Sequence, residues 1–299
     1  MSMFFGVILP TFCIFFAGYL VQKLRKMDIK SISTLTVYIL TPALVFQTFY
    51  TVELNLNYLL MAVFAIVLLM ILILINKLYV KIRKFPKDVE SALILSTAFM
   101  NVGNYGAPII LFAYGEVGFA YSVSFMVLQS MIMNFFGVYY AARGAEGVVA
   151  AIKFVFKMPL TYTLLIGILF NMMGVNVPTG VLSAVNLVAN AAIPAAMLVL
   201  GMQLADLKID KLVDREKLIY GVVVRMMVSP LLTVLILLFF PFDPLLQKVL
   251  IVSAAMPAAV TTTMYAIQFN TLPTLVSSIT FATTVVSAVS LTFILVLLG

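Results

Sequence analysis

The feature that most constrains this chain is a series of long apolar runs. Stretches of about 20 apolar residues are long enough to cross a bilayer as helices. Of all residues, 64% are hydrophobic and 10% are charged, whereas soluble domains carry about 25% charged residues. The sequence therefore predicts an all-α polytopic membrane protein. We place ten membrane-crossing stretches at residues 3–22, 31–52, 58–76, 91–114, 117–142, 159–175, 180–204, 218–240, 249–269 and 272–298.

The basic residues fall in alternate connections between these stretches. The first, third, fifth and seventh connections contain 16 of the 18 lysines and arginines. Loops rich in lysine and arginine stay on the cytoplasmic side of a membrane. We therefore expect an integral protein of the cell (inner) membrane with both termini outside the cytoplasm. Because the basic residues lie in separate loops rather than on one surface, the lipid bilayer is an expected partner and nucleic acid is not.

The fourth stretch contains residues that do not suit a continuous membrane helix. Gly103, Gly106 and Pro108 weaken or interrupt a helix. Asn101 and Asn104 bring amides to a depth where unpaired polar groups are costly. Transporters hold solutes at helices broken in this way. A kinked helix whose asparagines bind neighbouring helices is the other interpretation.

Three pairs of similar segments, found in the same order, indicate an internal repeat. Residues 10–20 resemble residues 159–169, Pro42 corresponds to Pro194, and residues 93–98 match residues 250–255. Each half then holds five stretches, and an odd number inverts the second half in the membrane. The predicted divisions are a first five-helix repeat at 1–142, a cytoplasmic or interfacial linker at 143–158 and a second repeat at 159–299. The linker is either a short interfacial helix or an extension of the sixth stretch.

The ninth stretch is the repeat partner of the fourth. Two broken helices that cross near the middle of the membrane each bring a partly positive N-terminus to the crossing, and this attracts an anion. Sodium is a second candidate ligand, at Asn104, Thr261 and Thr262. Because the chain has no histidine and one cysteine, we expect no other metal site and no cofactor. The predicted substrate site comprises Asn101, Asn104, Tyr105, Pro108, Gln129, Pro257, Thr261 and Thr262.

Both interrupted segments resemble the auxin efflux carrier family of PIN-like transporters, bacterial members included. The segments are NVGNYGAP at 101–108 and AMPAAVT at 255–261, and residues 40–47, 193–204 and 284–287 resemble other helices of the family. The resemblance covers nearly the whole chain. It implies the fold of bile-acid symporters and sodium/proton antiporters, with ten helices in two inverted five-helix repeats, two crossed broken helices and often a homodimer. Asn101 matches the crossover asparagine of the family.

The expected function is secondary or facilitative transport of a small organic anion. The solute would be a carboxylate, auxin-like or dicarboxylate, moved by alternating access of the elevator type. An enzyme is not expected, because the chain lacks histidine, a carboxylate within the ten stretches and a phosphate-binding GxxxxGK loop. A sodium/proton or sodium-coupled carrier of the same fold and a non-transporting membrane sensor are the alternatives.

Arg225 is the one charged residue within the ten stretches. It lies eight residues beyond Lys217, or ~12 Å into the membrane at the rise of an α-helix. Arg225 could neutralise an anionic solute. Its position favours snorkelling to the cytoplasmic surface, or an ion pair with the acidic residues of the seventh connection. Those acidic residues are Asp206, Asp210 and Asp214.

Overall fold

A computed structural model describes residues 4–52, 55–142, 145–206 and 213–299, which are helical apart from short connections. In this part of the chain seven helices are long and apolar enough to cross a membrane, or eight if Ala151–Lys157 and Pro159–Met172 form one bent span. This architecture agrees with the predicted all-α membrane protein. The helices are α1 (Phe5–Arg25), α2 (Ile29–Thr51), α3 (Leu56–Arg83), α4 (Lys87–Thr97), α5 (Val102–Ala142), α6 (Ala145–Lys157), α7 (Pro159–Met172), α8 (Thr179–Asp206), α9 (Arg215–Leu237), α10 (Pro244–Ala254), α11 (Val260–Gln268) and α12 (Pro273–Leu298).

Five prolines lie inside long helices without ending them. Pro194 of α8 follows a local turn at Ala191, and in each of the other four cases a wide π-helical turn ends two residues before the proline. In a regular α-helix the proline ring clashes with the carbonyl four residues earlier, and a π-turn changes this local geometry. The turns are Phe4–Ile8 before Pro10, Thr36–Leu40 before Pro42, Val102–Gly106 before Pro108 and Val224–Val228 before Pro230.

The fourth and ninth stretches are both interrupted; the break in the fourth comes before its glycines and proline, and the break in the ninth includes Pro257. The breaks comprise residues 98–101, between α4 and α5, and residues 255–259, between α10 and α11. The first break therefore meets the NVGNYGAP segment only at Asn101, whereas the second lies within the AMPAAVT segment at 255–261. Gly103, Gly106 and Pro108 belong to the start of α5, where the π-turn accommodates the proline.

Gly115 divides α5 between the predicted fourth and fifth stretches. Its backbone angles are φ 67° and ψ −165°, a region that is essentially restricted to glycine. The helix therefore consists of two parts, residues 102–114 and residues 116–142. The first part continues the fourth stretch beyond its break, and the second part is the fifth stretch.

Glycines allow two pairs of helices to pack closely. A Cβ atom on Gly18 of α1 would lie 2.2 Å from the carbonyl oxygen of Leu198 in α8, and one on Gly201 of α8 would lie 1.9 Å from that of Phe15 in α1. In the same way Gly167 of α7 lies against the backbone of α2. Small residues let membrane helices approach to backbone contact. Each of these pairs joins a helix of the N-terminal half to one of the C-terminal half.

The predicted linker contains helix α6, which meets α7 of the sixth stretch at a bend. Residues Ala151–Lys157 of α6 are bent by 58° from α7. The ring of Phe154 packs edge-on against Tyr265 of α11, with 5.5 Å between ring centroids. Apolar side chains such as Ile152 and Phe156 are exposed, as an interfacial helix requires.

Candidate functional site

The two breaks lie side by side and form hydrogen bonds with each other. The Asn101 N–H donates to the Pro257 carbonyl over 2.9 Å, and the Ala259 N–H donates to the Phe99 carbonyl over 3.0 Å. The two residues between these bonds form an antiparallel bridge. Each break thus supplies hydrogen-bond partners for backbone N–H and C=O groups of the other break. These groups would be costly to leave unpaired at membrane depth. We call the paired breaks the junction.

Four helix ends meet at the junction. Helices α4 and α10 end there, and their last carbonyl groups carry partial negative charge. Helices α5 and α11 begin there, and their first N–H groups carry partial positive charge. The junction therefore has a negative side and a positive side.

Arg225 of α9 binds the negative side. Its guanidinium donates to the Thr97 carbonyl of α4 over 2.8 Å, to the Ala254 carbonyl of α10 and to the Ser229 hydroxyl. Ser229 in turn donates to the Ala254 carbonyl over 3.0 Å. Because Arg225 is fully buried, the interpretation that it snorkels or pairs with the seventh connection is wrong.

The carbonyl groups that bind Arg225 are free to accept hydrogen bonds because two helices end at the junction. The sequence of α9 alone does not predict these partners. The acidic residues that sequence reasoning offered as partners lie elsewhere. Asp206 accepts a hydrogen bond from the Gln22 side chain over 3.0 Å, and Asp214 pairs with Lys217. Asp210 lies outside the described residues. Within the described chain no carboxylate binds Arg225, so helix ends balance its charge.

Asn101 stands on the positive side, directly before α5. Its side chain is 6% exposed and makes no capping hydrogen bond to the start of the helix. Among the described residues its Nδ2 is buried without a hydrogen-bond partner. An unpaired buried donor is costly. A bound solute could supply the missing acceptor.

A cavity of about 380 Å³ lies against the positive side of the junction, within the size range of small-molecule sites. Four of the eight predicted site residues line it: Asn101, Asn104, Gln129 and Thr261. They come from the break itself, from both parts of α5 and from α11. Two of the three residues predicted for sodium are among them, and sodium binding stays a prediction.

The other four predicted site residues lie outside this lining. Tyr105 is fully buried, and its hydroxyl lies 2.7 Å from a serine hydroxyl of α12. The Thr262 hydroxyl donates to the Ala259 carbonyl over 2.7 Å. Pro108 lies within α5, and Pro257 belongs to the junction. In this structure these residues contact the protein around the breaks.

Residues that sequence reasoning did not place in the site line the cavity along three helices, and Ala196, Val199 and Gln203 of α8 add a fourth. They recur at intervals of three or four residues, so each set lies on one helix face. Polar side chains at this period within apolar stretches were a usable signal in the sequence. The residues are Lys30, Ser33, Thr34, Val37, Tyr38 and Thr41 of α2, Met126, Ser130, Met133 and Asn134 of α5, and Met264, Tyr265 and Gln268 of α11.

Asn134 lines the cavity and also joins two helices. Its Oδ1 accepts a hydrogen bond of 2.7 Å from the Tyr265 hydroxyl, so a buried asparagine of α5 is satisfied by α11. Tyr265 is in turn covered by Phe154 of α6. The three residues form a continuous wall.

The cavity combines positive charge with apolar surface. Lys30 is the one charged residue in its described lining, and the first N–H groups of α5 and α11 add partial positive charge. Phe99, Met126 and Phe154 contribute apolar surface. This chemistry suits a negatively charged solute with an apolar part.

Comparison with known proteins gives the family. Residues 3–295 match the family described as membrane transport protein. The chain belongs to this family of auxin efflux carrier-like transporters. An uncharacterized transporter of Methanothermobacter thermautotrophicus is 26% identical over 287 residues, covering 92% of this chain and 91% of that protein. The family predicted from the sequence is confirmed, and this member of the family is a membrane transporter.

Proposed function

We propose that this transporter carries a small organic anion, such as a carboxylate, by secondary or facilitative transport with alternating access. The observation that carries the proposal is the unpaired Nδ2 of Asn101 beside a cavity of about 380 Å³. An amide donor and two helix N-termini together suit a carboxylate. The described lining contains no acidic residue that would repel an anion, and its apolar walls suit a carbon skeleton.

The proposed architecture has ten membrane-crossing helices. The count takes α4 with residues 102–114 as one helix and residues 116–142 as the next. It also takes α10 with α11 as one helix. The remaining seven are α1, α2, α3, α7, α8, α9 and α12. The linker helix α6 lies between the halves.

Pairs of equivalent contacts support an inverted repeat in this architecture. In one junction bond Asn101 donates to Pro257, and in the other Ala259 donates to Phe99. The two donors lie 158 positions apart in the sequence, and so do the two acceptors. The two carbonyls bound by Arg225, those of Thr97 and Ala254, are likewise 157 positions apart. Such equivalence is expected of a two-fold axis in the membrane plane.

The close helix pairs α1 with α8 and α2 with α7 support an elevator-type mechanism. Each pair is locked by glycine contacts to a facing backbone, which suits a static scaffold. The helices that meet at the junction would then carry the solute across the membrane relative to this scaffold. A homodimer through the scaffold is proposed on the family resemblance.

The side on which the cavity opens follows from its outer residues. The cavity lining includes Lys30 and Met158, and also Gln268, which ends α11 away from the junction. Lys30 belongs to the first connection and Met158 to the fifth, both of which are expected in the cytoplasm. We therefore propose that the structure represents a state open to the cytoplasm.

Counterflow in liposomes tests the proposed function. Purified protein is reconstituted into vesicles loaded with unlabelled indole-3-acetate, benzoate or malate, and uptake of the same labelled solute is followed with and without sodium. A carrier accumulates label transiently above the level of protein-free vesicles. Uptake equal to that of protein-free vesicles for all carboxylates would contradict the proposal and favour a non-transporting sensor. Dependence on sodium would identify a coupled carrier.

A further inference from the structure

Arg225 carries a full charge into the interior of the protein and has no acidic partner among the described residues. It is fully buried, and its partners are the Ser229 hydroxyl and the carbonyls of Thr97 and Ala254. These carbonyls end the two half-helices that run into the junction. The guanidinium does not line the cavity, so Arg225 does not contact a solute held there.

The charges at the junction give this arrangement an electrostatic consequence. Each helix end carries roughly half an elementary charge, negative at a C-terminus and positive at an N-terminus. Two C-termini and two N-termini therefore nearly cancel at a distance. A full positive charge on the two C-termini removes this cancellation. The junction as a whole then carries about one net positive charge, with the N-termini of α5 and α11 facing the cavity.

We propose that Arg225 determines the preference of the cavity for anions, by neutralising the ends of α4 and α10 and leaving the positive ends of α5 and α11 unopposed. The inference rests on the proposed function in taking this cavity as the solute site. It adds a residue that influences specificity without contacting the solute, by binding the carbonyl groups of the junction on the side away from the cavity.

The potential in the cavity can be measured without a solute. Thr261 lines the cavity and is partly exposed, so Thr261→Cys in a Cys13→Ser background provides a thiol at the wall. Its reaction rates are measured in detergent with an anionic reagent, 2-sulfonatoethyl methanethiosulfonate, and with its cationic trimethylammonium counterpart. The ratio of the two rates reports the local potential. A general loosening of the structure changes both rates together.

Two changes remove the net charge by different routes. Arg225→Met deletes the cation, and Ser229→Asp places a carboxylate beside it. Each should lower the ratio of anionic to cationic rates by about fivefold or more, as expected for a unit charge acting through a partly wet site. Arg225→Lys and Ser229→Ala keep the charge and should leave the ratio within about twofold of the parent. Ser31→Cys, an exposed position outside the cavity, should show no dependence on Arg225.

An unchanged ratio in folded Arg225→Met or Ser229→Asp protein, judged by gel filtration, would overturn the inference. An equal fall in Ser229→Ala would also overturn it, because local structure rather than charge would then be responsible. A lowered ratio combined with failed counterflow would refute the transport proposal and leave this one standing. The two failures are therefore distinguishable.

Discussion

At the scale of the single residue, Asn101 can have one of two roles. An asparagine directly before a helix commonly caps it by accepting a hydrogen bond from an N–H of the first turn. Asn101 makes no such bond, and its Nδ2 lies buried beside the cavity without a partner among the residues that the structure describes. The equivalent position before α11 is Ala259, which has no side chain able to cap. The start of neither half-helix therefore depends on a side-chain cap.

Asn101→Ala should weaken solute binding while leaving the fold intact. The change removes one hydrogen bond to the solute, a loss of ~1–3 kcal/mol, or roughly 5- to 150-fold in apparent affinity. Asn101→Asp should weaken binding further, because a carboxylate repels an anion in a poorly screened site. Transport affinity and melting temperature in detergent are measured together. Unchanged affinity in well-folded Asn101→Ala protein would remove this residue from the site, and a large drop in melting temperature would favour the capping role.

At the scale of the element, the contact between α1 and α8 leaves no space for a side chain at Gly201. A Cβ atom there would lie 1.9 Å from the Phe15 carbonyl oxygen. Gly201→Ala should therefore push the helices apart and cost about 1–3 kcal/mol, seen as a lower melting temperature. Gly180→Ala, in the same helix, is the matched control, because no atom lies within 4 Å of its added Cβ. Equal melting temperatures for the two variants would contradict the close packing.

Gly115 gives a second prediction at this scale, one that isolates backbone conformation from packing. An added Cβ would meet no atom within 4 Å, but the residue has φ 67° and ψ −165°. Gly115→Ala should destabilise the protein by about 1–3 kcal/mol through strain alone. Gly6→Ala, at an equally open position without positive φ, should leave the melting temperature unchanged. Similar results for both variants would show that the division of α5 at Gly115 is not required for stability.

At the scale of the whole molecule, the junction joins residues that lie 158 positions apart. Met100 and Ala258 face each other between two cross-strand hydrogen bonds, a geometry with Cα atoms ~4.5 Å apart that suits a disulfide. Met100→Cys combined with Ala258→Cys, in a Cys13→Ser background, should cross-link under mild oxidation. A peptide map then identifies the linked fragments. Met100→Cys with Ile267→Cys, on the far part of α11, is the control and should stay reduced.

The sequence predicts the helices of this molecule better than it predicts their interruptions. Long apolar runs determine where membrane helices form, since few other structures satisfy the backbone in lipid. The break at 98–101 contains neither glycine nor proline. It forms because its backbone pairs with residues 257–259, a tertiary contact that no local pattern encodes. The proline that drew attention to the fourth stretch, Pro108, is accommodated by a π-turn.

The candidate site is also only partly predictable from the sequence. Asn101 and Gln129 can be identified because amides are unusual in apolar stretches. Tyr38 and Tyr265 can be assigned to the cavity only by recognising that they share a helix face with other lining residues. The sequence does not predict the surroundings of Arg225, because its partners include carbonyls at the helix ends that the breaks create. A side chain whose partner is backbone leaves no complementary residue in the sequence to find.

The hydrogen bonds of the junction also restrict which parts of the molecule can move independently. Two of them tie break to break, and Arg225 ties α9 to the ends of α4 and α10. Separating these elements would leave N–H and C=O groups without partners in a medium of low dielectric constant. If the transporter works by the proposed elevator mechanism, we therefore expect α4, α5, α9, α10 and α11 to move together as one rigid body. In the proposed cycle, all relative displacement falls at the boundary between this body and the pairs α1 with α8 and α2 with α7.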